Sequence, residues 1–220
     1  VLREQHAGFP IICTPDGRMV VGQFGSYISG FIREWKRGIF DGDVFLMSDP
    51  YQCKGAISHI NDWMVLIPIF YKGEQVGWSS QFGHTIDVGG PVSGSLPTDA
   101  TTIFGEGMRI PAVKLFERGK LNEDVLDLLL NNSRMPTMNY FDLMAIVAAC
   151  RTADKRVKEL CERFGTTLYL SACEALLERT HRAMAQLIVK NLPEKKISFE
   201  DYIDDDGRGN GPYKMKLTIW

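Results

Sequence analysis

Two histidines and two aspartates in this chain share one spacing. SHIND places His59 three residues before Asp62, and GHTIDVGG places His84 three residues before Asp87. The chain has only four histidines, so two in the same His-x-x-Asp pattern is a concentration of metal-binding chemistry. Imidazoles suit transition metals, and carboxylates add neutralising charge, so the set fits a divalent ion such as Zn or Mn, with Fe also compatible. Two histidines and one aspartate would leave positions open for water or substrate, as catalysis at a metal requires. The second aspartate, Asp87, is either a further ligand or an outer partner that orients a ligand. Isolated His-x-x-Asp segments are more often loop-edge hydrogen-bonding groups and caps, so the chemistry depends on the two copies meeting.

A hairpin can bring them together. WMVLIPIF and QVGWSSQF are β-rich runs joined through Tyr71-Lys72-Gly73-Glu74, and a two-residue turn at Lys72-Gly73 uses glycine for positive φ. Pairing Tyr71 with Glu74 sets Asp62 opposite Gly83, Asn61 opposite His84 and Ser58 opposite Asp87. Strands about 5 Å apart with a rise of about 3.3 Å per residue would gather all four side chains at the open end. A bulge would shift this register by one without separating the segments. Pro68 cannot donate to a ladder, which predicts an edge strand or a bulge near it.

The rest of the chain supplies the frame. Residues 1–120 are rich in glycine and β-formers, with a Pro-Asp-Gly turn between Ile11–Thr14 and Met19–Gly22 and a short buried strand in DGDVFLM. Residues 121–192 are helical. Asn122 is an N-cap candidate, Pro136 interrupts, a long helix runs from about Tyr140 to Arg163 until Gly165 stops it, and a third spans about Ser171–Asn191. Its apolar stripe of Cys173, Leu176, Leu177, Met184, Leu187 and Ile188 reads as core packing. Residues 193–220 form an acidic loop and the start of a further strand. Segregated elements predict an α+β fold: an antiparallel β-rich N-terminal half with hairpins, then a bundle of three helices and the start of another sheet.

Composition narrows the function. Of 220 residues 45% are hydrophobic and 24% charged, with formal net charge −2, which gives no electrostatic reason to expect nucleic acid. No apolar run is long enough for a membrane helix, and no leader opens the sequence. Five cysteines without a CxxC pair read as buried free thiols of a cytoplasmic protein, with Cys53, beside Lys54, a conceivable reactive thiolate. GRGNG at 207–211 opens no helix and reads as an exposed turn rather than a phosphate loop. Asp99, Glu106 and Arg109 can contact a polar or anionic ligand. His6 and His181 lie outside the cluster.

The ordered run GDVFLMSDPYQCKG, SHIND, GHTIDVGGPVSGSLPTDATTIFGEGMRIPAVKLF and RGKLNEDVL resembles the hydantoinase B family over about Thr14–Arg163. That family consists of partner subunits of ATP-dependent cyclic amidases and ketone carboxylases. The resemblance implies a metal held by His59, Asp62 and His84, with Asp87 as an auxiliary or outer group. It implies a hetero-oligomer in which ATP is bound by a hydantoinase A-like partner subunit. It also implies that the chain is a piece of a longer subunit. The stretch PIFYKGEQVGW, with a tryptophan after the turn, is similar to the acetone and acetophenone carboxylase branch, where bicarbonate supplies the carbon dioxide. The leading expectation is therefore a ketone carboxylase subunit acting on an aromatic ketone. A hydrolase of cyclic amides is the alternative, and a non-catalytic scaffold a third.

Overall fold

The computed structural model describes residues 8–22, 28–192 and 194–220; His6 lies outside them. Nine strands and four helices are seen among these residues. Seven strands form one antiparallel sheet in the order β2-β1-β5-β4-β3-β6-β7. They are β1 (Gly8–Cys13), β2 (Met19–Val21), β3 (Val44–Met47), β4 (Asp62–Tyr71), β5 (Glu74–His84), β6 (Val113–Glu117) and β7 (Lys120–Leu121). The helices are α1 (Ile28–Glu34), α2 (Glu123–Asn131), α3 (Pro136–Phe164) and α4 (Thr166–Asn191). Strands β8 (Ile197–Ile203) and β9 (Tyr213–Ile219) form a separate antiparallel pair.

Strand β4 explains why its sequence is an unbroken apolar run. Side chains alternate between faces with period two, and here both faces are covered. Trp63, Val65 and Ile67 pack with Leu143, Ile146, Val147 and Cys150 of α3 and Leu126 and Leu129 of α2. Met64 and Leu66 pack on the opposite side with Ile28 and Phe31 of α1, Phe45, Trp78 and Cys53. β4 is thus an interior strand, between β5 and β3, and not the edge strand that Pro68 suggests. The proline is tolerated because β3 pairs with β4 only from Met64 to Leu66, so that flank is already open at Pro68. An irregularity does occur nearby, between Ile69 and Phe70.

The helix ends follow local chemistry. Asn122 caps α2 by accepting the Val125 N–H at 3.2 Å. Pro136 starts α3 rather than delaying it to Tyr140, since the first helical position needs no N–H donor. Gly165, at φ 81°, ends it.

The chain divides into two compact units, Val1–Cys173 and Glu174–Trp220. The first contains the seven-stranded sheet and its packed helices. In the second, no described residue is buried. Contrary to the expected core stripe, Leu176, Met184, Leu187 and Ile188 of α4 are exposed, and only Cys173 is buried. One helical segment and a two-stranded ribbon do not enclose a core. All five cysteines are buried, so Cys53, fully enclosed, is not the accessible thiolate its sequence context allowed. No described helix is long and apolar enough to cross a membrane.

Candidate metal centre

The hairpin turn at Lys72-Gly73 has both residues at positive φ, 50° and 85°, the backbone that matches the right-handed strand twist. Pairing starts as the sequence predicts, Tyr71 with Glu74 and Phe70 with Gln75. Ile69 then pairs with Gly77, which leaves Val76 as the extra residue of a bulge, and the shifted register continues to Asp62 opposite His84. This single slip matters, because directly opposed residues share a face and a one-residue shift reverses the face. Without Val76 in the bulge, His84 would oppose Asn61 and project away from Asp62.

Beyond the strands, the hairpin end is clamped. The Asn61 carbonyl accepts from the Thr85 N–H at 2.8 Å and from its hydroxyl at 2.7 Å. The Asn61 amide donates to the Gly94 carbonyl at 3.1 Å. His59 sits on the tight turn before β4, where its carbonyl accepts from the Asp62 N–H at 3.3 Å.

Three atoms converge. His59 Nε2 lies 3.0 Å from His84 Nδ1, and Asp62 Oδ1 lies 3.2 Å from each. A first-row divalent ion 2.0–2.2 Å from its ligands places neighbouring ligands about 2.8–3.6 Å apart for ordinary coordination angles. The triangle falls inside that interval, and its near-equal edges suit ligands on one face of a coordination polyhedron, with other positions open. The donor set therefore fits a divalent ion. Ser58 Oγ lies 3.0 Å from His59 Nδ1, so it can accept that N–H and fix the tautomer that directs Nε2 inward.

Electrostatics at the triad are mutual. The hydrogen bond that His59 donates to Asp62 raises the His59 pKa against the opposing effect of burial, and the Asp62 and Glu106 charges add to the rise. Burial would raise Asp62, but its hydrogen bonds to His59 and His84 outweigh this and hold its carboxyl below the usual value. The side chains of His59 and His84 remain 34% and 23% exposed, so one side of the triad is open.

Asp87 is not brought to the triangle. Its Oδ1 accepts from the N–H groups of Gly89 (3.0 Å) and Arg134 (3.1 Å). Its Oδ2 accepts from the Gly94 N–H (3.1 Å) and the Arg134 guanidinium (2.5 Å). Of the two roles expected for Asp87, auxiliary ligand or outer group, these bonds favour the outer one: they fasten the loop after His84 to the α2–α3 connection. Asn139 of α3 adds a bond to the Asp87 carbonyl at 2.6 Å. Arg134 and Asn139 were not legible as site-supporting residues, since neither lies in a motif and both are some fifty residues from Asp87.

The other candidates are placed as follows. Arg109 pairs with Asp49 at 3.5 Å and lies over the Phe104 ring. His181 is exposed on α4. GRGNG is an exposed loop in which Asp206 accepts from the N–H groups of Arg208 and Asn210.

Glu106 follows a 3-10 turn (Ile103–Gly105) that is held tightly to the loop after His84. The Met108 N–H donates to the Val88 carbonyl at 2.8 Å. A Cβ on Gly90 would come within 3.0 Å of the Glu106 carbonyl, and one on Gly107 within 2.6 Å of the Val88 oxygen. Gly107, at φ 131°, also has a backbone that other residues resist. Gly107→Ala is expected to lower the unfolding free energy by about 2–3 kcal/mol, read from denaturant midpoints of the full-length subunit.

The model of the Hydantoinase B/oxoprolinase family matches residues 6–220. The chain is 35% identical over 205 residues to the caprolactamase subunit beta of Pseudomonas jessenii, covering 93% of this chain and 33% of the relative. It is 32% identical over 208 residues to the acetophenone carboxylase delta subunit of Aromatoleum aromaticum, covering 87% and 29%. The crystal structure of the ATP-dependent caprolactamase from Pseudomonas jessenii superposes with a TM-score of 0.86 at 30% identity, covering 98% of this chain and 38% of that one. The chain thus spans about a third of the length of the curated relatives it matches.

Proposed function

The chain belongs to the hydantoinase B/oxoprolinase family, and from that premise we propose that it is the metal-bearing part of a subunit in an ATP-dependent complex that opens a cyclic amide. The observation that carries the metal assignment is the triangle of His59 Nε2, His84 Nδ1 and Asp62 Oδ1, with edges of 3.0–3.2 Å. A Zn, Mn or Fe ion bound there would supply Lewis acidity to polarise a carbonyl and lower the pKa of a bound water.

This chain's own residues do the rest. His59, Asp62 and His84 hold the ion, and Ser58 directs the His59 ring. Asp62 would offset part of the ion's charge, and the two imidazoles would bind it as neutral donors. The Asn61–Thr85 clamp keeps the hairpin end closed, so the three ligands keep their spacing. ATP would be used by a separate, hydantoinase A-like partner in a hetero-oligomer.

Amide hydrolysis leads over carboxylation for two reasons. The 35% identity and the 30% identical structure both belong to a caprolactamase. The tryptophan that suggested the carboxylase branch, Trp78, is fully buried and donates its indole N–H to the Pro15 carbonyl at 3.0 Å. It pairs with Pro68, six residues along β5 from His84, or roughly 20 Å of strand, so its role is packing. Carboxylation of a ketone with bicarbonate remains the second reading, supported by the 32% identity to the acetophenone carboxylase delta subunit.

The test uses the full-length subunit together with its partner. ATP turnover is expected with lactams or hydantoins and independent of bicarbonate. Turnover that appears only with ketones plus bicarbonate would replace the first reading by the second.

A further inference from the structure

A cavity of about 370 Å³ lies at the end of α1, within the size range of small-molecule sites. None of His59, Asp62 and His84 lines it. Part of the lining is apolar: Phe31 of α1 and Met47 of β3, both buried, and the Trp35 indole. That indole is held in place. It stacks on Phe31 with ring centres 5.5 Å apart, meets Phe45 edge-on at 4.9 Å and donates its N–H to the Gly38 carbonyl at 3.4 Å. The Arg37 guanidinium lies over it, 4.0 Å from the ring centre, so a fixed ring supports the cation.

The polar part of the lining has a sign. Lys36, Arg37 and Gln52 supply donors, and the one lining carboxylate, Glu34, meets Lys54 at 2.7 Å, which offsets its charge. Among the described residues Lys36 donates only to the Arg33 carbonyl, at 2.7 Å, and Arg37 only to the Ala112 carbonyl, at 3.5 Å. Most of their N–H groups are therefore left for a ligand. The Gln52 side-chain oxygen accepts the Ala112 N–H at 3.3 Å, which leaves its NH2 as a further donor. A guanidinium can bind both oxygens of a carboxylate in parallel, and an apolar body would displace water from Phe31 and Met47. A cationic ligand would meet Lys36 and Arg37 and be repelled, and a bare inorganic anion would leave the apolar lining wet. We infer that this cavity binds a small organic carboxylate, held by Arg37 and Lys36 with its apolar body against Phe31, Trp35 and Met47. Neither the metal nor the reaction proposed above enters this recognition.

The probes are 4-fluorobenzoate, 4-fluorobenzamide and trifluoroacetate, titrated by fluorine NMR into the full-length subunit bound to its partner. The benzamide and trifluoroacetate are expected to bind about tenfold more weakly than the benzoate, the first for lack of a charged hydrogen bond and the second for lack of apolar burial. Arg37→Ala should weaken the benzoate by about tenfold and leave the benzamide nearly unchanged, which erases the discrimination. Arg37→Lys, which keeps the charge without the planar fork, should restore part of it. Lys36→Ala should weaken the benzoate independently. Both residues are exposed, so the unfolding midpoints of these variants should stay near the wild-type value. His84→Ala should bind the benzoate as the wild type does, since no metal ligand lines the cavity. Equal binding of benzoate and benzamide, no benzoate binding by the complex, or benzoate binding untouched by both cationic substitutions overturns the inference. Loss of benzoate binding in His84→Ala also overturns it, because the carboxylate would then sit at the metal centre. So does binding by the subunit alone that disappears in the complex, which would make the cavity a contact between subunits.

Discussion

The full-length subunit carrying His84→Ala is expected to purify folded, with its divalent metal affinity down by about 10² to 10⁴-fold and its ATP-coupled turnover down at least as far. The magnitude follows from sharing a binding free energy of about 10–16 kcal/mol among three or four ligands. His84 occupies the last residue of β5, with its side chain 23% exposed, so its truncation opens no large void in the core. His59→Ala should behave alike. His181→Ala, on an exposed stretch of α4, is the control that should change neither metal content nor turnover. Unchanged metal and activity in both site variants would leave the scaffold reading as the survivor. The effect of pH has a worked sign. Asp62 raises the His59 pKa above the ordinary value of 6.5, so protons begin to compete with metal already above that pH. Metal content should fall as pH drops through this region. In metal-free protein the sign reverses: the charged His59–Asp62 contact stabilises at low pH and is lost as pH rises through the elevated His59 pKa.

The hairpin was legible because its signals are local. Lys72-Gly73 specifies a turn, and the runs on either side have the length and residue types of strands. What was not legible is that the bulge falls at Val76, an apolar residue that fits a strand in either register. Its effect, to bring Asp62 and His84 to one face, appears ten or so residues from the turn in a direction no local pattern records. Pro68 pointed to an edge strand or a bulge: the bulge lies beside it, between Ile69 and Phe70, but the strand is interior, because the missing donor is excused by where β3 ends, a fact of tertiary pairing. The stripe on α4 has helical period, but periodicity reports an amphipathic face and not what covers it. The second His-x-x-Asp looked like a repeat of the first, yet only its histidine enters the triangle. Spacing alone cannot distinguish a ligand from a fastening group, because both need the same carboxylate in the same loop.

Asp87→Ala separates those two roles and should produce the largest loss of stability among the loop substitutions. The Asp87 carboxylate is 2% exposed as a residue and gathers two N–H bonds from its own loop plus the amide and guanidinium of Arg134. Truncation strands several of these donors, and breaking a buried charged pair from one side costs about 3–5 kcal/mol. The lower end is expected, because the Arg134 side chain is 40% exposed and regains water. Asp87→Asn should cost less, since it keeps one acceptor oxygen while presenting an NH2 to donors that repel it. Burial alone would raise the Asp87 pKa, but the N–H groups of Arg134, Gly89 and Gly94 and the guanidinium bring it below the usual 3.8. Its stabilising effect is therefore complete above about pH 4 and is lost as pH falls through the lowered folded value. The wild type should show this acid limb in denaturant midpoints, and Asp87→Asn should show a weaker one. Metal bound per folded molecule is the deciding measurement. A fastening role leaves it at the wild-type value while the midpoint drops; if the metal is lost in proportion while stability is kept, Asp87 is a ligand after all and the loop is held by something else.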